Sequence, residues 1–127
     1  MGAGSTKPRP AGTAGHRLSI RIDLASGARI GPGKIALLVE IGRTGSISGA
    51  GRALRMSYRR AWELVENLNQ TLGRPVVSTS AGGSGGGGAR LTAFGEALIE
   101  QYRAIEATTG AAAKKHIAAI TRACETG

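Results

Sequence analysis

Hydrophobic residues recur along the chain with two different spacings, and each spacing predicts a different kind of element. In the segment 17–24, apolar side chains alternate with polar ones. The apolar members are Leu18, Ile20, Ile22 and Leu24. This period of two is typical of a strand with one buried face. The segment 25–33 that follows contains three glycines and a proline, and it therefore predicts a turn.

Three helices are predicted next, over about 33–41, 48–54 and 58–72. The third has the clearest pattern, because apolar residues four, three and four positions apart form one stripe. The members of this stripe are Ala61, Val65, Leu68 and Leu72. Ser57 is expected to cap the third helix, and Ser46 or Ser48 the second. Gly42 and Gly73 are expected to end the first and third helices.

A β-hairpin is predicted after the third helix. Residues 75–79 favour a strand, and residues 90–91 favour a short returning strand. Between them, the segment 81–89 holds six glycines and one serine, which predicts a mobile loop. The pattern as a whole indicates a mainly α fold with a small β-hairpin.

The two ends of the chain differ in pattern. Thr92 is expected to cap a last helix that continues to about residue 108, with a separate helical piece over 111–124 after Gly110. Residues 1–16 show no hydrophobic period and are rich in Gly, Ala, Pro, Ser and Thr. They predict a flexible basic tail, which either adds phosphate contacts or is merely disordered.

The distribution of charge indicates the kind of partner. The chain of 127 residues carries 17 Lys and Arg against 8 Asp and Glu, for a formal net charge of +9. Cations outnumber anions five to one in residues 1–31 and eight to three in 32–91, whereas residues 92–127 carry four of each. Such an excess points to a polyanion, either nucleic acid or an acidic membrane surface. The neutral last third suits a scaffold or an oligomerisation helix.

The remaining composition argues against catalysis and metal binding. The single cysteine is Cys124, and the two histidines, His16 and His116, are 100 positions apart. Without a nucleophile–base pair or a metal cluster, we expect no enzyme, no cofactor and an inert thiol. The glycine run 83–88 matches G-x-G-x-x-G, but too few residues follow it for a dinucleotide-binding sheet. No apolar run of ~18 residues and no signal peptide is visible, so we expect a cytoplasmic protein without a membrane partner.

The second and third helices carry the candidate chemistry. Only Arg55 and Met56 separate them, which is the arrangement of a helix-turn-helix, whose second helix enters the major groove of DNA. The third predicted helix opens with the motif Ser-Tyr-Arg-Arg, which starts at Ser57. Arg can pair bidentately with guanine, and Tyr can bond to a phosphate or stack on a base. The glycine hairpin suits a wing, because glycine permits close approach to a backbone. Trp62 is interpreted as a core residue, with stacking on a base as the alternative.

Several short motifs occur together between residues 45 and 99. They are Gly45-Ser46-Ile47-Ser48, Ala50, Ser57-Tyr58-Arg59, Ala61-Trp62, Asn69-Gln70, Gly82 to Ala89, Leu91-Thr92, Phe94-Gly95 and Leu98-Ile99. Together they resemble the N-terminal DNA-binding domain of the ModE family of bacterial molybdate-responsive regulators, and more distantly the LysR-type helix-turn-helix. The resemblance covers about residues 17–108. It implies a winged helix followed by a long helix that forms a homodimer, with residues 57–60 facing the groove and 82–88 at the wing tip.

The chain departs from this family at its carboxyl end. Full-length members carry C-terminal oxyanion-binding modules, whereas only 19 residues follow Thr108 here. We therefore expect no molybdate-binding domain in this chain, and no molybdate site is carried over from the family.

The sequence thus predicts a sequence-specific, double-stranded DNA-binding transcriptional regulator that acts as a homodimer. The expected parts are the tail 1–16, a winged helix-turn-helix over 17–91 and a helical dimerisation region over 92–127. Helix 57–72 would enter the major groove, with the wing 80–90 on the adjacent minor groove or backbone. The expected DNA contacts are Ser46, Ser48, Arg52, Ser57, Tyr58, Arg59, Arg60, Glu63, Arg74, Gly83, Ser84, Gly85 and Arg90. The alternative is a winged-helix module that binds a protein and not DNA.

Overall fold

The described part of the chain contains four α-helices and two antiparallel hairpins. This computed structural model describes residues 16–83 and 86–126. The elements are β1 (Ile22–Asp23), β2 (Arg29–Ile30), α1 (Pro32–Thr44), α2 (Ile47–Ala53), α3 (Tyr58–Leu72), β3 (Val77–Gly83), β4 (Gly86–Leu91) and α4 (Ala93–Thr126). The larger of two compact units is Ser19–Arg103, and the described part of the smaller comprises residues 16–18 and 104–126. The predicted fold class, mainly α with a winged helix, is confirmed.

The core of the larger unit contains α1, α2 and α3. The predicted stripe of α3 is buried, at Ala61, Val65 and Leu68. Ser57 caps α3 as predicted, since its Oγ accepts a hydrogen bond from the backbone N–H of Arg60 at 3.0 Å. Gly73 follows the helix in the left-handed conformation, with φ +75, so both predicted ends of this helix are confirmed. The four buried residues of α1 are Ile35, Leu37, Leu38 and Ile41.

The predicted end of the first helix at Gly42 is wrong. The helix α1 continues to Thr44, and Gly45 ends it in the left-handed conformation, with φ 76. A Cβ atom at Gly42 would lie 3.0 Å from the Cδ1 atom of Leu91. The glycine at position 42 therefore serves the close approach of the second hairpin to α1, whereas the left-handed stop is three residues further along.

Helices α2 and α3 cross closely because small residues lie at the crossing. A Cβ atom at Gly51 would lie 3.1 Å from the carbonyl oxygen of Met56 and 3.6 Å from the Cβ atom of Ala61. The backbone N–H of Met56 donates to the carbonyl of Gly51 at 2.9 Å. Within this connector Arg55 takes φ 59, a left-handed conformation that costs a non-glycine residue about 1–2 kcal/mol. The tight turn is thus closed by backbone bonding and by the missing side chain at position 51.

Most of the glycine-rich segment 81–89 belongs to a strand pair, so the prediction of a loop over this whole segment is wrong. Strands β3 and β4 pair antiparallel, with Val77 opposite Leu91 at one end and Gly83 opposite Gly86 at the other. Glycine has a low strand propensity, but ladder hydrogen bonds join backbone groups and need no side chain. Pairing with the opposite strand therefore outweighs the local preference. We call this β3–β4 hairpin the wing.

The predicted strand over 17–24 is shorter than its hydrophobic pattern suggests. Only Ile22–Asp23 forms a strand, and it pairs antiparallel with β2, Ile22 lying opposite Ile30. Gly27 makes the turn between them with φ +97. Because a strand needs a hydrogen-bonded partner, the pairing with β2 sets its length, and the predicted turn over 25–33 contains that partner.

Helix α4 begins as predicted but is not interrupted. The Oγ1 of Thr92 accepts a hydrogen bond from the backbone N–H of Gly95 at 3.0 Å and so caps the helix. Tyr102 is 1% exposed, and its hydroxyl donates to the carbonyl of Ile20 at 2.7 Å. The predicted break at Gly110 is wrong, since the helix runs to Thr126. A glycine inside a helix costs about 1 kcal/mol relative to alanine, which a long helix tolerates.

The smaller unit is described only by residues 16–18 and 104–126. In it, the hydroxyl of Thr121 donates to the carbonyl of Ile117 at 3.0 Å and lies 3.3 Å from Nε2 of His16. Two large apolar side chains of this unit are exposed, Ile105 at 37% and Ile120 at 64%. This part of α4 therefore presents apolar surface to solvent.

Candidate nucleic-acid interface

The amino end of α3 presents the Ser-Tyr-Arg-Arg motif on the outside of the helix-turn-helix. Ser57 and Arg60 are exposed, Tyr58 is 58% exposed, and the side chain of Arg59 is 88% exposed. The Nε atom of Arg59 lies 3.3 Å from Oε2 of Glu63, one helical turn further on. These five predicted residues are therefore accessible together, and their contact with DNA stays a prediction.

A polar trough lies between α3 and the wing. We call it the wing trough; it is lined by Ser46, Ile47, Ser48, Tyr58, Trp62, Thr79, Ser80, Gly88 and Ala89. The interpretation of Trp62 as a core residue is wrong, because its side chain is 44% exposed. Trp62 follows Tyr58 by one turn and shares its side of α3, whereas the buried stripe runs through Ala61 and Val65. Thr79 and Ser80 also line the wing trough, although no sequence pattern indicated that they belong to a site.

Hydrogen bonds hold the wing against the helix-turn-helix. The backbone N–H of Ala89 donates to the carbonyl of Gly45 at 2.9 Å, which joins β4 to the turn between α1 and α2. At the other end, the backbone N–H of Val76 donates to Oδ1 of Asn69 at 2.8 Å. Asn69 belongs to one of the recognised motifs, but its role as a link between α3 and the wing was not predicted. The two bonds fix the position of the wing relative to α3.

Helix α2 contributes two of the predicted hydroxyl residues to the wing trough. The Oγ of Ser46 accepts from the backbone N–H of Gly49 at 2.8 Å, so Ser46 is the cap of α2. The Oγ of Ser48 accepts from Nη1 of Arg52 at 3.0 Å. The structure thus brings Ser46 and Ser48 beside Tyr58, with the exposed Arg52 bonded to one of them.

The other predicted contacts lie along the wing or at its base. Arg90 is exposed on β4, and Gly83 ends β3. Arg74 is placed differently: its guanidinium carbon lies 4.6 Å from the ring centroid of Phe94, a cation–π contact. It follows the carboxyl end of α3, a helix of 15 residues and about 22 Å in length, so the structure does not bring Arg74 to the wing trough. Ser84 and Gly85 lie outside the described residues.

A second trough lies on the opposite flank of α3, beside the β1–β2 hairpin. We call it the hairpin trough; it is lined by Gly27, Arg29, Lys34, Arg60, Glu63, Leu64 and Asn67. The Nζ of Lys34 donates to the carbonyl of Arg29 at 2.9 Å and to Oδ1 of Asn67 at 3.0 Å. Burial, and then the charges of Arg29 and Arg60, lower the pKa of Lys34. No role was predicted for Arg29, Lys34 or Asn67, because hydrophobic spacing does not show which elements lie side by side.

Other kinds of site find no support in the described residues. Within residues 16–83 and 86–126, no group of three or more His, Cys, Asp and Glu side chains is placed to hold a metal ion. In the same ranges, no helix has both the length and the apolar character needed to cross a membrane.

A tight connector joins the helices α2 and α3. The amino end of α3 is basic and exposed, and a hairpin is bonded to the flank of this helix. Together these features define a winged helix-turn-helix of the DNA-binding class. Residues 33–96 match the family model described as bacterial regulatory helix-turn-helix protein, lysR family. This match covers 64 of the 127 residues. The chain therefore belongs to the lysR family of bacterial regulatory helix-turn-helix proteins.

Individual relatives agree with this assignment. The chain is 54% identical over 82 residues to the molybdenum-pterin-binding protein MopB of Rhodobacter capsulatus, a match that covers 65% of this chain and 30% of MopB. It is 41% identical over 71 residues to the DNA-binding transcriptional dual regulator ModE of Escherichia coli K12, covering 56% of this chain and 27% of ModE. The resemblance to the N-terminal domain of ModE-family regulators is thus confirmed. The chain spans less than a third of the length of either relative.

The fold also matches a solved structure, described as the crystal structure of a CbnR_DBD–DNA complex. The match has a TM-score of 0.54 and 23% sequence identity, and it covers 68% of this chain and 94% of the other. At this identity the likeness shows a shared winged-helix fold.

Proposed function

We propose that this chain is a sequence-specific, double-stranded DNA-binding transcriptional regulator. One observation carries the proposal: α3 and the wing line a single trough, at the exposed, cationic end of the helix-turn-helix. A helix that enters the major groove by its amino end places a neighbouring hairpin on the adjacent backbone or minor groove. On this proposal the protein acts on the chromosome in the bacterial cytoplasm and has no catalytic activity.

Arg59 and Glu63 are the proposed base-reading residues. Both lie on the exposed side of α3, and their ion pair is open to solvent, with 88% and 50% of the side chains exposed. An exposed pair of this kind contributes little stability, so exchanging it for base contacts costs little. Arg then pairs with the O6 and N7 of guanine, and Glu accepts from the N4 of cytosine. Tyr58 and Trp62 offer aromatic surface on the wing side of the same helix.

The proposed phosphate contacts surround these residues. Ser46, Ser48 and Arg52 present hydroxyls and a guanidinium from α2, and Arg90 presents a guanidinium from the wing. Contacts to phosphates position a protein on the duplex but carry no direct base information. Glycines in the wing permit the close approach to the backbone that such contacts need. Arg74 is the least favoured member of the predicted set, since Phe94 already engages its guanidinium.

We also propose that the chain acts as a homodimer through the carboxyl part of α4. Ile105 and Ile120 are exposed there, and burial of their exposed apolar surface against a second copy would favour association. A two-fold dimer binds a roughly palindromic operator, with half-sites one or more helical turns apart. Because MopB and ModE are relatives, we further propose that the controlled genes concern molybdenum; a genome-wide binding map tests this.

Selection of duplexes from a random library with the full chain tests DNA binding. We expect an enriched motif, whose affinity falls with salt at a log–log slope of about −0.9 for each phosphate contact. A variant in which Arg59 is replaced by Ala is the matched control, since it removes the proposed base contact and leaves the fold. A library without enrichment, together with a flat salt response, would support the protein-binding module instead.

A further inference from the structure

Three cations line the hairpin trough, and only Arg60 belongs to the predicted set of DNA contacts. Arg29 comes from β2, Lys34 from α1 and Arg60 from α3. All three line one trough on the flank of α3 that faces away from the wing. Arg60 follows Tyr58 by two residues, which is about 200° around the helix. A residue at that angle cannot serve the wing trough, where Tyr58 lies.

Positive charge predominates in the lining of the trough, where three cations stand against one carboxylate, that of Glu63. The described residues 16–83 and 86–126 include the ion pairs Arg21–Asp23, Arg43–Glu40 and Arg59–Glu63, and none of the three cations takes part in these. Glu63 is the carboxylate in the trough lining, and it is paired with Arg59. The pKa of Lys34 is lowered by burial and by its two cationic neighbours. An anion placed among these groups would relieve that repulsion.

The hydrogen bonds of Lys34 show that the cluster is held in place. Its Nζ is bonded to the carbonyl of Arg29 and to Oδ1 of Asn67, at 2.9 and 3.0 Å. These bonds tie α1 to the β1–β2 hairpin on one side and to α3 on the other. The cluster thus has a fixed position next to the proposed recognition helix. Arg29 also precedes residue 33, where the match to the lysR family model begins.

The geometry of the major groove suggests what the trough binds. The groove is about 12 Å wide and is bounded on its two sides by the phosphates of opposite strands. If α3 lies in the groove with the wing on one strand, its other flank faces the second strand. We propose that Arg29, Lys34 and Arg60 form a phosphate-binding site for the DNA strand that lies across the major groove from the wing. This inference rests on the proposed function.

Two single variants, Arg29→Gln and Arg60→Gln, test the site on the full chain. The probes are the duplex obtained by selection and an unrelated duplex of equal length. Each variant should reduce the salt slope by about 0.9, so that the affinity ratio between 50 and 200 mM salt shrinks about 3.5-fold. The loss should be equal on both duplexes. Arg43→Gln, which removes an exposed cation that lines neither trough, is the matched control and should leave the slope unchanged.

Ethylation interference on both strands locates the contacts. The wild type should show interfering phosphates on each side of the groove, and the two variants should lose only those across from the wing. Slopes equal to that of Arg43→Gln, or a change in preferred bases with Arg60→Gln, would overturn the inference. Saturable binding of sodium phosphate or molybdate alone at micromolar concentration would also overturn it, since the site would then serve a free oxyanion.

The outcome for this site can be separated from the outcome for the proposed function. A wild-type chain that binds no duplex contradicts DNA binding as a whole. A different result would contradict only the phosphate site of the hairpin trough. In that result the wild-type chain binds its selected duplex and Arg59→Ala loses base preference, but Arg29→Gln and Arg60→Gln behave like the control. Thermal unfolding of each variant shows whether a loss of binding reflects a loss of fold.

Discussion

Arg59 and Glu63, the proposed base-reading residues, lie one turn apart on the exposed side of α3, and an ion pair joins them in the free protein. The Nε–Oε2 distance of 3.3 Å belongs to a solvent-exposed ion pair, which contributes about 0–1 kcal/mol. Such a pair restrains the guanidinium without holding it strongly. The guanidinium can therefore exchange Glu63 for a base at little cost, as the proposed contact requires.

Replacement of Arg59 by Ala should reduce affinity for the selected duplex by about 1–3 kcal/mol and relax preference at one base pair. On an unrelated duplex the loss should be smaller, because only phosphate contacts remain. Competition binding with both duplexes measures the difference. Arg90→Ala gives the contrast, since loss of a phosphate contact should weaken both duplexes alike. An Arg59→Ala variant with unchanged base preference would show that Arg59 does not read the sequence.

Helix α3 owes its position in the chain to local signals at its two ends. The Oγ of Ser57 accepts from the N–H of Arg60 at one end, and Gly73 takes the left-handed conformation at the other. A serine cap contributes about 1 kcal/mol to stability. In this helix the capping residue also lies at the proposed DNA surface, so stability and binding can be separated by substitution.

We expect Ser57→Ala to lower the free energy of unfolding by about 1 kcal/mol. Ser57→Asp should keep the cap, because a carboxylate also accepts from the backbone N–H, yet its negative charge would repel the phosphates of DNA. Urea unfolding and duplex binding of both variants give the comparison. If Ser57→Asp bound DNA as well as the wild type does, the amino end of α3 would not lie close to the duplex.

Two glycines of α4 differ in what surrounds them. A Cβ atom at Gly95 would lie 2.2 Å from the carbonyl oxygen of Val76, whereas one at Gly110 would meet nothing within 4 Å. Gly95→Ala should therefore force apart α4 and the base of the wing and destabilise the fold by about 1–3 kcal/mol or more. Gly110→Ala should raise helix stability by about 1 kcal/mol. Circular dichroism melting curves measure both, and a tolerated Gly95→Ala would contradict the close packing.

The larger compact unit extends to Arg103, beyond the predicted domain boundary at residue 91. Tyr102 explains the difference, since it is 1% exposed and bonded to the carbonyl of Ile20 at 2.7 Å. A cut after Gly95 would remove this buried side chain. The first part of α4 therefore packs within the larger unit, and the proposed dimer contact uses the exposed residues further along the helix.

Truncation after Arg103 should give a folded monomer, whereas the full chain should be a dimer. The physical reason is that the truncated chain keeps the larger unit but loses the exposed Ile105 and Ile120. Light scattering during gel filtration measures the mass of each. Ile120→Glu in the full chain is the corresponding point variant and should also weaken the dimer. A dimeric truncated chain would place the interface in the winged helix instead.

The sequence alone predicts helix α3 together with its cap, its stop and its exposed basic end. Each of these features depends on residues that lie close together in the sequence, within the length of one helix. The stop at Gly45, the strand pairing of the glycine segment and the exposure of Trp62 could not be predicted. They depend on contacts between distant residues, such as the bond from Ala89 to Gly45. The hairpin trough depends likewise on Lys34 and Asn67, 33 positions apart. Local spacing specifies which elements form, whereas only tertiary packing decides which of their side chains become neighbours.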